Sequence, residues 1–111
     1  MAKFVRGDVV VVPFPFSDLT QAKRRPALII AALEGDDYIL CQITSRNISD
    51  RYAVSVEDAD FDDGSLKQSS NVRPNRIFTA DQNIILYRIG CLKPEKFGEV
   101  IRKIVGIIQA D

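Results

Sequence analysis

Three cations run straight into a proline and then an apolar stretch in Lys23-Arg24-Arg25-Pro26-Ala27-Leu28-Ile29-Ile30. Proline pushes the residue before it out of the helical region, so Arg25 is predicted to be extended, its guanidinium carried on a stiff mount at a strand edge. A planar, permanently charged fork fits phosphate oxygens, and a fixed fork loses little entropy on binding them. A solvated basic turn would use the same residues with no ligand at all. The arrangement recurs in Asn71-Val72-Arg73-Pro74-Asn75-Arg76, where Arg73 again precedes a proline. Between the two lies Tyr38-Ile39-Leu40-Cys41-Gln42-Ile43-Thr44, whose alternation sets Tyr38, Leu40, Gln42 and Thr44 on one strand face. Gln42 and Thr44 would then share a face at one strand end, offering an amide and a hydroxyl. A strand-end threonine bonded to its own backbone, and simple exposed strand polarity at Gln42, account for the same two residues.

The sequence has no histidine, which removes a Ser-His-Asp triad, a Cys-His pair and the common histidine zinc sites. It also contains no Walker loop and no GxGxxG. Catalysis would have to rest on Arg, Lys, carboxylates, Tyr or hydroxyls, with no metal and no cofactor expected. Net charge is zero, but it is unevenly spread along the chain. Residues 1–33 hold five basic and two acidic groups, residues 34–66 two and nine, and residues 67–111 eight and four. Folding could therefore produce a basic face from the first and third segments and an acidic band from the middle.

The 111 residues, 46% hydrophobic and 27% charged, predict one globular domain over 1–111 that folds without a staple. Cys41 and Cys91 sit inside apolar runs, where a reduced thiol behaves as a small buried hydrophobe, although a disulfide between them is compatible with the sequence. The N-terminus lacks the apolar core of a secretion signal and no run approaches a membrane span, so a cytoplasmic location is expected.

Along the chain, the β-branched run 9–12 reads as a buried strand ended by Pro13 and Pro15. Residues 14–22 form a loop carrying Phe14 and Phe16 toward the basic triplet. Strands follow at 26–31 and, after the turn at Glu34-Gly35-Asp36-Asp37, at 38–43. A loop at 46–50, a short strand at 52–56 and an acidic, turn-rich excursion at 57–64 come next. Residues 71–79 are extended, 81–83 turn, and 84–92 form a further strand. The chain closes with an amphipathic helix that Pro94 opens, with Phe97, Val100, Ile101, Ile104, Val105 and Ile108 at core-facing spacing and a Glu99–Lys103 surface pair. The pattern is mainly β: a small, strongly bent sheet or partly open barrel with one helix laid against it.

The assembled residues resemble the MazF/PemK family of toxin components from bacterial type II toxin-antitoxin modules. Gly7-Asp8-Val9-Val10 looks like that family's opening strand, and Arg24-Arg25-Pro26-Ala27-Leu28-Ile29 like its Arg-Pro strand. Gln42-Ile43-Thr44-Ser45, Val72-Arg73 with Thr79-Ala80-Asp81, and Gly90-Cys91-Leu92 with the last helix match later positions. The resemblance spans nearly the whole chain, in order. It implies an SH3-like barrel of the MazF/Kid/CcdB type with added strands and a C-terminal α-helix. It also implies a homodimer that cleaves single-stranded RNA at short sequences without a metal and is blocked by a cognate antitoxin. Arg25 and Thr44 match the pair at the scissile phosphate, and Arg73 a catalytic arginine of the Kid-like branch. Phe16, Ser17, Lys23, Arg24, Gln42, Ser45, Arg46, Asn75 and Arg76 are the expected RNA contacts, with Phe14 and Phe16 offering rings to unpaired bases.

The chain departs from the family at two places. Asn75 stands where the Kid-like branch has an aspartate in the role of general base, and an amide takes no proton. Asp18 or a water-assisted attack would have to replace it. Phe78 stands where many members have an arginine, removing one cation from the groove. Two other functions fit these departures and the zero net charge: a CcdB-like toxin that binds a protein target such as gyrase, and a degenerate member that binds RNA or antitoxin without cutting.

Overall fold

In a computed structural model, which describes residues 3–14 and 23–110, the chain forms seven strands and one helix. The strands are β1 (Asp8–Phe14), β2 (Lys23–Ala32), β3 (Asp37–Thr44), β4 (Val54–Val56), β5 (Phe61–Asp63), β6 (Ser70–Asp81) and β7 (Tyr87–Leu92), and α1 is Pro94–Ile108. They make one antiparallel sheet in the order β4-β6-β3-β2-β1-β7-β5.

The sheet buries both its faces. Alternation sends Val9, Leu28, Cys41, Ile43 and Val72 into a cluster under α1, and Val10, Val12, Ala27, Ile29 and Leu40 into a second cluster closed by Phe4 and Ile85. A strand apolar on both sides explains the unbroken valine run of β1. The cluster under α1 includes Val54 and Val56 from one sheet edge and Phe61 from the other, so the sheet curls until both edges meet the same helix. Register shifts between β1 and β7, β2 and β3, and β3 and β6 supply the bends. The result is the mainly β half-barrel with a C-terminal helix that the sequence pattern and the family resemblance imply.

Several elements differ from expectation. Pro13 does not end β1, which stays paired through Phe14↔Lys23. Past Val11 its only paired neighbour among the described residues is β2, and a proline is tolerated where a strand is bonded on one side. The basic triplet therefore lies inside β2 rather than ahead of it. The acidic excursion holds a strand, β5, paired to β7. β7 starts at Tyr87 because Asp81 accepts from Asn83 N at 2.7 Å and winds Gln82–Ile84 into a 3₁₀ turn first. On α1, Phe97, Val100 and Ile104 are buried, but Val105 and Ile108 are 44% and 68% exposed. Glu99 pairs with Lys96 at 3.1 Å, and Lys103 instead donates to the Arg51 carbonyl at 3.1 Å. Cys41 and Cys91 are free thiols.

Candidate functional site

Three strands bring the predicted residues to one end of the sheet, on the face away from α1. Ala27 pairs with Gln42, and the same register carried two residues further sets Arg25 across from Thr44. Thr44 in turn pairs with Asn71 on β6. Facing residues of an antiparallel pair share a side, and so do residues two apart, so Arg25, Gln42, Thr44 and Arg73 belong to one face. Lys23, exposed, follows on the face of Arg25; Arg24, exposed, alternates to the other side. Phe16, Ser17 and Asp18 lie outside the described residues, as does the side chain of Phe14.

The β3–β6 register explains how Arg73 is presented. Cys41 pairs with Ile77 and Ile43 with Val72, so the four residues 73–76 stand opposite the single Gln42. Pro74, buried and without an N–H, cannot continue a ladder, and β6 bulges there. Arg73 opens the bulge, and Asn75 and Arg76 are exposed on it. The Arg73 carbonyl, free of ladder pairing, accepts the Cys41 thiol at 2.9 Å. Burial pushes that thiol up to about 12, so it stays a protonated donor at neutral pH and is not a nucleophile.

Thr44 is 6% exposed, and its Oγ1 accepts from Arg46 N at 3.2 Å. The local backbone bond therefore exists, and it uses an acceptor lone pair; the hydroxyl proton remains available to a ligand oxygen. The Arg46 carbonyl takes Asn71 Nδ2 at 3.2 Å, which pins the start of the loop 45–53. Ser45 and Arg46 are both exposed there.

The same loop contributes a carboxylate that sequence reasoning passed over. Asp50 Oδ2 meets Arg73 Nη2 at 3.0 Å, while its Oδ1 accepts from Tyr52 N and Ala53 N, both at 3.0 Å. Partial loss of water pushes this carboxyl up, but the two backbone N–H groups and the Arg73 guanidinium outweigh it and hold it below 3.8. An aspartate bonding the backbone two and three residues on is a local turn signal legible in Asp50-Arg51-Tyr52-Ala53. Its partner 23 residues away is not. Arg73 is 16% exposed, and its buried Nε has no hydrogen-bond partner among the described residues. Next to the loop, a cleft of about 280 Å³ lies between Arg51, Tyr52 and the α1 residues Arg102, Lys103, Gly106, Ile107 and Ala110.

The acidic residues Asp58–Asp63 sit on a 3₁₀ turn and on β5, at the opposite sheet edge from β4 and β6. Lys23 and Arg25 from β2, Arg46 from the loop, and Arg73 and Arg76 from the β6 bulge belong to the segments that converge on the sheet end of Thr44, with Asp50 as the carboxylate that contacts Arg73. Such a site can hold an anion with guanidinium forks and donate a hydroxyl hydrogen bond to it.

Comparison with known proteins places the fold. Residues 5–108 match the family of PemK-like, MazF-like toxins of type II toxin-antitoxin systems. The chain belongs to that family. No curated protein sequence matches it. Among solved structures it resembles MazF from Deinococcus radiodurans, 20% identical over 95% of this chain and 96% of that one, with a TM-score of 0.74. It also resembles a mycobacterial endoribonuclease in complex with its cognate antitoxin, 13% identical over 97% of both chains, TM-score 0.77. A third likeness is to the Mycobacterium tuberculosis toxin MazF-mt6, 21% identical over 94% and 98%, TM-score 0.70. At these identities the likeness speaks for the fold.

Proposed function

We propose that the protein is the toxin of a type II module, an endoribonuclease that cuts single-stranded RNA at short sequences without a metal and is restrained by a cognate antitoxin. It acts as a single domain over 1–111, in the cytoplasm, as a homodimer. The observation that carries this reading is the gathering of Arg25, Thr44 and Arg73 from three strands around one sheet end. The family match and the likeness to the mycobacterial endoribonuclease solved with its cognate antitoxin support it. Among the described residues no helix is long and apolar enough to cross a membrane.

Cleavage follows from the charges. The RNA 2′-oxygen attacks the adjacent phosphorus, the bond to the 5′-oxygen of the next nucleotide breaks, and the products are a 2′,3′-cyclic phosphate and a 5′-hydroxyl. The proton leaving the 2′-hydroxyl passes to water and the departing oxygen takes one up. Negative charge builds on the non-bridging oxygens in between. Arg25 and Arg73 neutralise that charge from fixed positions, and Thr44 donates its hydroxyl to one of those oxygens. Fixed donors of this kind contribute roughly 10²–10³ in rate each. Lys23, Gln42, Ser45, Arg46, Asn75 and Arg76 are the proposed RNA contacts beside the phosphate, with Phe16 and Ser17, and Arg24, on the other side of β2, is proposed to meet the RNA further along its path.

Incubating the protein with a long RNA in EDTA and mapping 5′-hydroxyl ends tests this. Discrete cuts are expected, lost in Arg25→Ala and reduced by about 10²-fold in Thr44→Val. Intact RNA across varied sequences would remove the nuclease assignment.

A further inference from the structure

Arg25 and Arg73 are mounted differently. Arg25 is built into β2, its backbone paired with Val12 of β1. Arg73 opens a four-residue bulge in which no ladder pair to β3 fixes the backbone. A long side chain on such a mount is not preorganised by its strand, and orientation must come from elsewhere.

It comes from the 45–53 loop. We propose that Asp50 is the positioning residue of this site: a carboxylate locked by two backbone N–H groups, which holds the Arg73 guanidinium in the orientation a phosphate requires. Its Oδ1 is tied to Tyr52 N and Ala53 N, which leaves Oδ2 aimed at Arg73 Nη2 at 3.0 Å. The loop carrying it is anchored at both ends. Arg46 is held through its N–H by Thr44 and through its carbonyl by Asn71, and the Arg51 carbonyl is held by Lys103 Nζ. The Cys41 thiol steadies the Arg73 carbonyl beneath. Asp50 takes one of the five guanidinium N–H groups and the one on Nε is buried, which leaves the three others on Nη1 and Nη2 for an anion.

Asp50 also subtracts a charge from a basic site, so its contribution cannot be attraction of RNA. Orientation without attraction has a distinct kinetic signature, a loss in kcat with no rise in KM. This part rests on the nuclease reading; the clamp itself does not.

The test is Asp50→Asn, whose amide oxygen can still accept from Tyr52 N and Ala53 N while the Arg73 ion pair is gone. Cleavage of a short RNA should show kcat down at least tenfold and KM unchanged or lower. In an Arg73→Lys background, which keeps the charge and loses the fork, the same substitution should change kcat less than twofold. Unchanged kcat, a rise in KM alone, or an equal loss in the Arg73→Lys background would overturn the proposal. A higher kcat would do so as well, since the carboxylate would then be a competitor of the phosphate. The side-chain ¹⁵Nε resonance of Arg73 tests the clamp without substrate: a distinct cross-peak in the native protein should move to the averaged position of free arginines in Asp50→Asn. If the native protein cuts no RNA, the nuclease reading fails and this resonance alone decides the clamp, an averaged native peak refuting it. Should Asp50→Asn not fold, Asp50→Ser, able to accept from the loop N–H groups but too short to reach Arg73, makes the same measurements.

Discussion

Which atoms are held, and by what, separates the residues that sequence pattern identifies here from those it misses. Arg25, Thr44 and Arg73 stand out because an arginine before proline and a hydroxyl at a strand end are local features with local physics. Asp50 does not, because its partner is brought to it only when β6 folds beside β3. The ion pair has a consequence for stability. The folded carboxyl lies below 3.8, so the unfolded state binds the proton more readily as the medium acidifies. The contribution is therefore whole above about pH 5 and is lost as pH falls through the depressed folded value. The melting temperature of the native protein should exceed that of Asp50→Asn by its widest margin near neutral pH. The two curves should converge once pH falls below the depressed folded value, where both partners of Arg73 are uncharged. A gap that stays constant from pH 7 to pH 3 would show that the carboxylate charge adds nothing to the folded state.

Elements were legible in proportion to how much of their pattern is local. The valine run, the turn at Gly35 with φ of +78°, and the proline-opened helix all form where hydrophobic pattern and turn chemistry place them. The three-residue strand β5 was hidden by its acidic composition, since Asp62 and Asp63 are exposed and only Phe61 reaches the core. What lets β5 form is backbone contact. Gly64 and Gly90 face each other so closely that a Cβ on Gly90 would meet the Asp63 carbonyl oxygen and lie 2.8 Å from the Gly64 Cα. Gly64 has φ of +78° as well, so neither position has room for a side chain. Gly90→Ala should destabilise the fold by about 1–3 kcal/mol, an overpacking cost against backbone that cannot swing aside. At about 4 °C per kcal/mol for a chain of this size, thermal melting would register a drop of about 4–12 °C. Gly106→Ala is the matched control: nothing lies within 4 Å of its Cβ, and replacing a helical glycine there should raise stability by about 0.5–1 kcal/mol. Equal melting temperatures for native protein and Gly90→Ala would mean that β5 is not packed against β7 as tightly as this.

At the scale of the molecule, the helix was read from the sequence as wholly core-facing, and a third of its apolar stripe is not. Periodicity reports which residues share a helix face, but not how wide a strip the partner sheet covers. The curled sheet takes Phe97, Val100 and Ile104, half-buries Ile101, and leaves Val105 and Ile108 in solvent. On the same side of the sheet, Ile77 stands opposite the buried Cys41 and is itself 44% exposed. Apolar side chains left uncovered beside a finished core are what a second copy of the chain would bury, in keeping with the proposed homodimer, and a two-fold interface needs the same patch on both partners. Sedimentation should find the native protein dimeric at micromolar concentration, and Val105→Glu/Ile108→Glu monomeric with its fold intact by circular dichroism. Two carboxylates per copy would otherwise be buried without partners across the contact, a penalty that an interface of ordinary size cannot absorb. A native protein that stays monomeric at 100-fold higher concentration would leave this face without its partner. A doubly substituted protein that still dimerises would move the interface to another surface.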